Sequence, residues 1–189
     1  MHRRADPAHG PQKHRIHALG DERTPGHGER EERDGGDPGD QLKRAVIQRQ
    51  YRVLLLDPFG NEGAYFSVQM PRSWNKGLVS ARFVWSHAAT STSFGVRWEV
   101  YAIATGDGEN LAGISWSAVA RVTDTGGNTD HLYVSPETPA LAPEGTAGDE
   151  DLISFYVGRQ ATDAADTMAI DARLHGVFIY YTTNAARDN

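Results

Sequence analysis

Met168 to Tyr181 reads MAIDARLHGVFIYY. Met168, Ile170, Ala172, Leu174, Gly176, Phe178 and Tyr180 occupy one set of alternate positions, and Ala169, Asp171, Arg173 and His175 the other. Period-2 patterning of this kind marks a β-strand. From Val177 the second set turns apolar as well, with Ile179 and Tyr181. This predicts a strand covered on one side in its first half and on both sides in its second. Gly176 sits at the change, where a glycine signals a bulge, a bend or a close backbone approach. Fourteen residues would span roughly 46 Å, far more than an ordinary strand, so a bent strand near the middle of a sandwich is expected.

Working outward, the same alternation recurs along the chain. Phe66, Val68 and Met70 alternate with Tyr65, Ser67 and Gln69, and Pro71 ends the run. Ser73 to Gly77 reads as a turn, after which Val79, Ala81, Phe83 and Trp85 form an apolar face. Phe94, Val96, Trp98 and Val100 form the next, opposite Arg97, Glu99 and Tyr101. Trp116, Ala118, Ala120 and Val122 give another, His131 to Ser135 a short strand, and Leu152 to Gln160 a strand with Ile153, Phe155 and Val157 inward. The intervening segments Thr105–Gly113, Asp124–Asp130 and Pro136–Gly148 are rich in turn residues, the last with a short extended piece around Ala140 to Ala142. No stretch has a helical period. Seven to eight strands at such spacings predict an all-β fold, an antiparallel β-sandwich of jelly-roll type over residues 64–183. An immunoglobulin-like sandwich is disfavoured because the chain lacks its cysteine pair.

The flanks differ in character. Residues 1–44 hold no Phe, Trp or Tyr but 5 of the 8 His, with 7 Gly and 4 Pro. Such a segment buries too little apolar area to offset its ordering entropy, so a disordered tail is expected. The same composition arises when a GC-rich gene is translated from a wrong start or out of frame, so a further reading is that some or all of residues 1 to about 60 is not native domain sequence. Residues 45–63 form an unassigned lead-in whose run Val53 to Leu56 reads as an edge strand or a short helix, and 184–189 a frayed end.

Charge and composition exclude several function classes. The net charge of −6 falls entirely on residues 45–189, which carry 10 Lys and Arg against 16 Asp and Glu. An acidic body disfavours nucleic acid and anionic membranes, which need a basic footprint. The absence of cysteine removes disulfides and thiolate metal sites. No apolar run reaches the length of a transmembrane helix, and no secretory h-region is present, so a soluble product outside the Sec route is expected.

Candidate sites are sparse. Trp85, Trp98 and Trp116 lie on apolar strand faces and are expected in the core, which leaves Trp74 as the exposed ring for stacking on a glycan or a partner, with Tyr133 as a second such contact. Carboxylates gather as Asp107 with Glu109, Asp124 with Asp130, and Asp149 to Asp151, but none has a calcium-loop spacing. His2, His9, His14, His17 and His27 read as solvated tail in preference to a metal tract. His87, His131 and His175 lie in no nucleophile motif. No metal, cofactor or catalytic residue is expected, although a paired-carboxylate glycosidase needs no local motif.

Six runs resemble a group of tailed-phage and prophage virion proteins: Tyr65–Trp74 (YFSVQMPRSW), Gly77–Ser86 (GLVSARFVWS), Phe94–Trp98, Val122–Gly126 (VTDTG), Leu152–Arg159 and Asp166–Thr183 (DTMAIDARLHGVFIYYTT). The likeness spans about 120 residues and is most specific in the last run. It implies a β-rich, non-enzymatic structural component of the virion, assembled in the host cytoplasm, on the head as decoration or on the tail as a minor or fibre protein. Major capsid or tail proteins are the implied partners, and self-association is expected, as a homotrimer by analogy with jelly-roll virion proteins. The resemblance supplies no catalytic residues. The Gly/His/Arg-rich tail departs from the family, whose members lead into the first strand with ordinary domain sequence. A receptor- or glycan-binding module at a particle tip is the alternative, and a glycan-cleaving enzyme the next.

Overall fold

The computed structural model describes residues 13–17, 53–89, 93–112 and 115–184, the first of these as backbone only. Nine strands are present: β1 (Lys13–His17), β2 (Leu54–Leu56), β3 (Glu62–Gln69), β4 (Trp74–His87), β5 (Gly95–Thr105), β6 (Ala120–Thr125), β7 (Tyr133–Val134), β8 (Leu152–Arg159) and β9 (Ala172–Thr183). No helix occurs among the described residues. One sheet runs in the order β1-β9-β4-β7, with β2 beside β1 on the same edge of β9, and the other runs β3-β8-β5-β6.

The pairing has a simple origin. β2 pairs with β9, β3 with β8, β4 with β7 and β5 with β6, all antiparallel, so the chain is a long two-stranded ribbon folded at the β5–β6 connection. Rolling the ribbon brings β4 against β9 and β5 against β8, which splits it into two facing sheets. That is the jelly roll expected from the strand spacing. Its interior is filled by one face of each strand: Phe83 and Trp85 from β4, Val96, Trp98 and Val100 from β5, Ile153 and Phe155 from β8, and Ile179 from β9 are all buried.

β9 is not covered on both sides in its second half. Its buried residues are Ala172 and Leu174, then Val177, Ile179 and Tyr181, so the inward face switches phase. The cause is a bulge: Val84 pairs with Gly176 but Trp85 with Leu174, leaving His175 extra. One additional residue sends every later side chain to the opposite face. A Cβ on Gly176 would meet nothing within 4 Å, so the glycine marks the bulge and not a close approach.

A second irregularity lies at the start of β4. Trp74 pairs with Thr183 and Val79 with Tyr181, so six residues of β4 oppose three of β9, with Lys76 at φ 59°. The shift turns Trp74 inward, where it is only 3% exposed.

The long connection after β7 also has a role. Ser135, Thr138 and Leu141, three residues apart, donate backbone N–H groups to Phe83, Ala81 and Val79 of β4. The Ser135 and Thr138 hydroxyls accept the Phe83 and Ala81 amides in return. Glu144 then bonds to Ala102 and Ala104 of β5, so this proline-rich segment closes one side of the sandwich.

The opposite side is held by Arg159, which has no exposed surface. Its Nε and Nη2 donate to the two oxygens of Asp166 at 2.9 and 2.8 Å, and Nη1 donates to the carbonyls of Leu56 and Ile170. Nη2 also donates to the Met168 carbonyl. All five guanidinium hydrogens are thereby used. Because Arg159 takes the carbonyls of Met168 and Ile170, the predicted strand start at Met168 moves to Ala172.

Within the segment read as a tail, β1 pairs with Phe178–Thr182 of β9. The remainder of residues 1–44, residues 45–52 of the lead-in, and 185–189 lie outside the described residues. Val53 to Leu56, left between strand and helix by its sequence, contains β2.

Candidate functional site

The outer face of the β3-β8-β5-β6 sheet carries the most developed site. Strand alternation sends Tyr65, Tyr156 and Tyr101 outward, and the register aligns them in one row across β3, β8 and β5. The next outward row consists of Gly63, Gly158, Glu99 and Arg121. The two glycines matter because the Tyr156 ring lies down over them. A Cβ on Gly63 would stand 2.6 Å from the ring's Cζ, and one on Gly158 2.9 Å from its Oη. Side chains at either position would force the phenol upright.

Tyr156 thus forms a floor. Its ring centroid is 5.1 Å from that of Tyr65 and 5.7 Å from that of Tyr101, with tilts of 55° and 63°. Trp116, from the β5–β6 connection, meets Tyr65 at 5.6 Å. It is carried there because the adjacent Ser117 docks on Ala102 of β5, through its own N–H and through the Oγ that accepts the Ala102 amide at 3.0 Å. Tyr65 is 69% and Trp116 38% exposed. Together with Glu99 these rings line a groove of about 290 Å³, at the small end of ligand sites and suited to a single ring.

Glu99 supplies the groove's charge. Its Oε2 accepts from Arg121 Nε at 3.1 Å, and Arg121 Nη2 donates to Gln160 Oε1 at 3.0 Å. Burial, and then the Glu99 carboxylate, raise the Tyr156 phenol above its ordinary value, so it stays protonated and remains a donor at neutral pH. Among the described residues, none of the three phenol oxygens has a hydrogen-bond partner in the protein.

The residues singled out from sequence fall elsewhere. Trp74 is buried, as the β4 bulge dictates, so it cannot be the exposed stacking ring. Trp116, expected in the core, is the exposed one, because residues 115–119 precede the paired part of β6. The roles of these two tryptophans are therefore exchanged. Tyr133 is half-buried; its ring stacks on His87 at 5.6 Å and its hydroxyl donates to the Asn128 carbonyl.

The carboxylates gathered in loops are engaged individually. Asp124 accepts Trp85 Nε1–H at 2.7 Å, Asp130 pairs with Arg173, Asp149 with Lys76 at 3.0 Å, and Glu150 with Arg72. No group of three or more metal-ligating side chains occurs among the described residues.

His87 is the unexpected polar group. It is fully buried between Trp85, Phe94 and Tyr133, and neither ring nitrogen makes a hydrogen bond of good geometry. Burial pushes the imidazole below its ordinary pKa, against smaller opposing pulls that include the Ala89 backbone and Asp130. His175, the bulged residue, is also lowered by burial and then by Arg173, and shares a 2.8 Å hydrogen bond with Ser86 Oγ.

The aromatic row was partly legible in the sequence, since Tyr65, Tyr101 and Tyr156 each occupy the outward phase of a strand. Only the register places them side by side. No family model, curated protein or solved structure matches the chain.

Proposed function

We propose that the chain is a non-enzymatic structural protein of a phage virion, a head decoration or a minor tail component that acts through surfaces. The observation that carries this reading is an apolar patch at one end of the jelly roll. Phe59 is 88% and Leu55 55% exposed, and with Pro58, Ala88, Ala169 and Ile170, beside the charged Asp171 and Arg173, they line a depression of about 480 Å³. Exposed apolar clusters of this kind favour protein contacts. β2 carries Leu55 at the margin of a sheet, where partner strands and loops can dock. Self-association, with the trimer as the expected state, and contacts to capsid or tail proteins follow from the same reading.

The test has two arms. Peptide mass spectrometry on purified particles of the source phage should find this chain; hundreds of copies indicate the head, a few to a few dozen the tail. Analytical ultracentrifugation should give an oligomer for the wild type and a monomer for Phe59→Asp. A chain absent from particles and monomeric in solution overturns the reading. A second reading, a glycan-binding module at a particle tip, is favoured by the aromatic groove on the opposite kind of surface, a sheet face and not an edge.

A further inference from the structure

We infer that the groove between Tyr65, Tyr101, Tyr156, Trp116 and Glu99 binds a neutral hexopyranose ring presented by an oligosaccharide. The site needs no oligomer or virion partner.

The chemistry of the lining selects this ligand. A pyranose has an apolar C–H face and a rim of hydroxyls that both donate and accept. The groove offers an indole and three phenol rings as apolar surface, at mutual centroid distances of 5.1 to 5.7 Å. Around them stand three phenol hydroxyls and the Glu99 carboxylate as acceptor, held in place by the Arg121 guanidinium, which lies outside the lining. Exposed aromatic side chains present broad contact area at low entropic cost, with a polar handle at the edge. The volume of about 290 Å³ admits one ring.

Charge narrows the choice. Glu99 and Arg121 form an ion pair, so no lone guanidinium is left to hold the carboxylate of a uronate or a sialic acid. Arg121 lies 3.1 Å from Glu99, so no lone carboxylate is left to hold the quaternary ammonium that an aromatic cage would otherwise accept. A neutral sugar whose hydroxyls bond to the Arg121-paired Glu99 fits both facts.

Trp116 also provides the readout, since Trp74, Trp85 and Trp98 are buried and Trp116 is exposed. The full chain is titrated with neutral gluco-, galacto- and manno-oligosaccharides, with a sialylated and a uronate oligosaccharide, and with tetramethylammonium. Tryptophan fluorescence follows the wild type, and calorimetry follows the variants. The expected result is a saturable change with at least one neutral oligosaccharide at about 1 mM or below, weakened about tenfold or more in Tyr65→Ala and in Trp116→Ala. Trp116→Tyr should retain part of the affinity. Leu132→Ala, an exposed residue outside both the groove and the Phe59 patch, should retain all of it. Failure of every neutral sugar to bind, tighter binding of tetramethylammonium or of an anionic sugar, or binding indifferent to both alanine variants overturns the inference. Binding by a chain that is absent from virions would remove the structural reading and leave this one standing.

Discussion

Two aromatic clusters lie on opposite sides of one sheet, and they differ in almost nothing but cover. Inside, Phe83, Trp85, Trp98, His87 and Tyr133 stand at centroid distances of 5.1 to 5.8 Å. Outside, Tyr65, Tyr101, Tyr156 and Trp116 stand at 5.1 to 5.7 Å. Both leave polar atoms without protein partners. In the inner cluster these are the His87 nitrogens and Trp98 Nε1, sealed from water, so each is a cost. In the outer cluster they are phenol oxygens at an open groove, where water or a ligand satisfies them. Ring proximity therefore says little about role; the same geometry is sealed packing when covered and an accessible aromatic surface when open.

The pair of clusters comes with a pair of ion pairs. Arg159 and Asp166, beside the core, have side chains 0% and 1% exposed, whereas Arg121 at the groove retains 32% against 5% for Glu99. The buried pair fastens the β8–β9 connection and β2; the groove pair offers a donor and an acceptor to whatever binds.

Substitutions at matched positions test the contrast. Trp98→Ala should cost about 3–5 kcal/mol by urea denaturation, because it empties a sealed site between two sheets. A cost near that of a surface change would mean the inner cluster is not sealed. Arg159→Met should be comparably severe, about 3–5 kcal/mol, since it strands the Asp166 carboxylate and three carbonyls. The double variant Arg159→Met with Asp166→Leu should recover part of that loss; an equal or larger loss would show that the carbonyls, not the charge, dominate.

Gly158→Ala strikes the groove floor from below. Its Cβ would lie 2.5 Å from the Glu62 carbonyl, so the cost should be about 1–3 kcal/mol, with the Tyr156 ring displaced in the near-ultraviolet dichroism. His87 gives the inner cluster a pH signature. Its folded pKa lies below the ordinary 6.5, so the unfolded chain binds the proton more readily. Its stabilising contribution is full above about pH 6.5 and lost as pH falls toward the depressed folded value, at up to about 1.4 kcal/mol per pH unit. His87→Phe should reduce the slope and leave the contribution of His175, which is shifted in the same direction. An unchanged slope would put the acid sensitivity elsewhere. The smallest expected effect is Trp116→Ala, about 0.5 kcal/mol or less in stability, for a tryptophan that Trp98→Ala makes its counterpart.

Two of the places where sequence and structure part share one cause. Trp74 was expected outside and is inside, and the second half of β9 was expected to be covered on both faces and simply changes face. Each follows from a bulge, at Asn75–Leu78 and at His175. A bulge is defined by two strands at once, and β4 is separated from β9 by most of the domain. Trp116 went the other way because alternation from Ser115 to Val122 implied a paired strand, while the ladder begins only at Ala120.

Period-2 alternation and turn residues were enough by themselves to specify an all-β sandwich, most of its strands and most of its core, because these are local consequences of backbone geometry and of burying one face of each strand. The tertiary structure alone decided the register. Register aligned three outward tyrosines over two glycines, set Glu99 beside Arg121, enclosed His87 among rings and flipped Trp74 inward, since a shift of one residue between distant strands exchanges the two faces of a sheet without changing any local pattern.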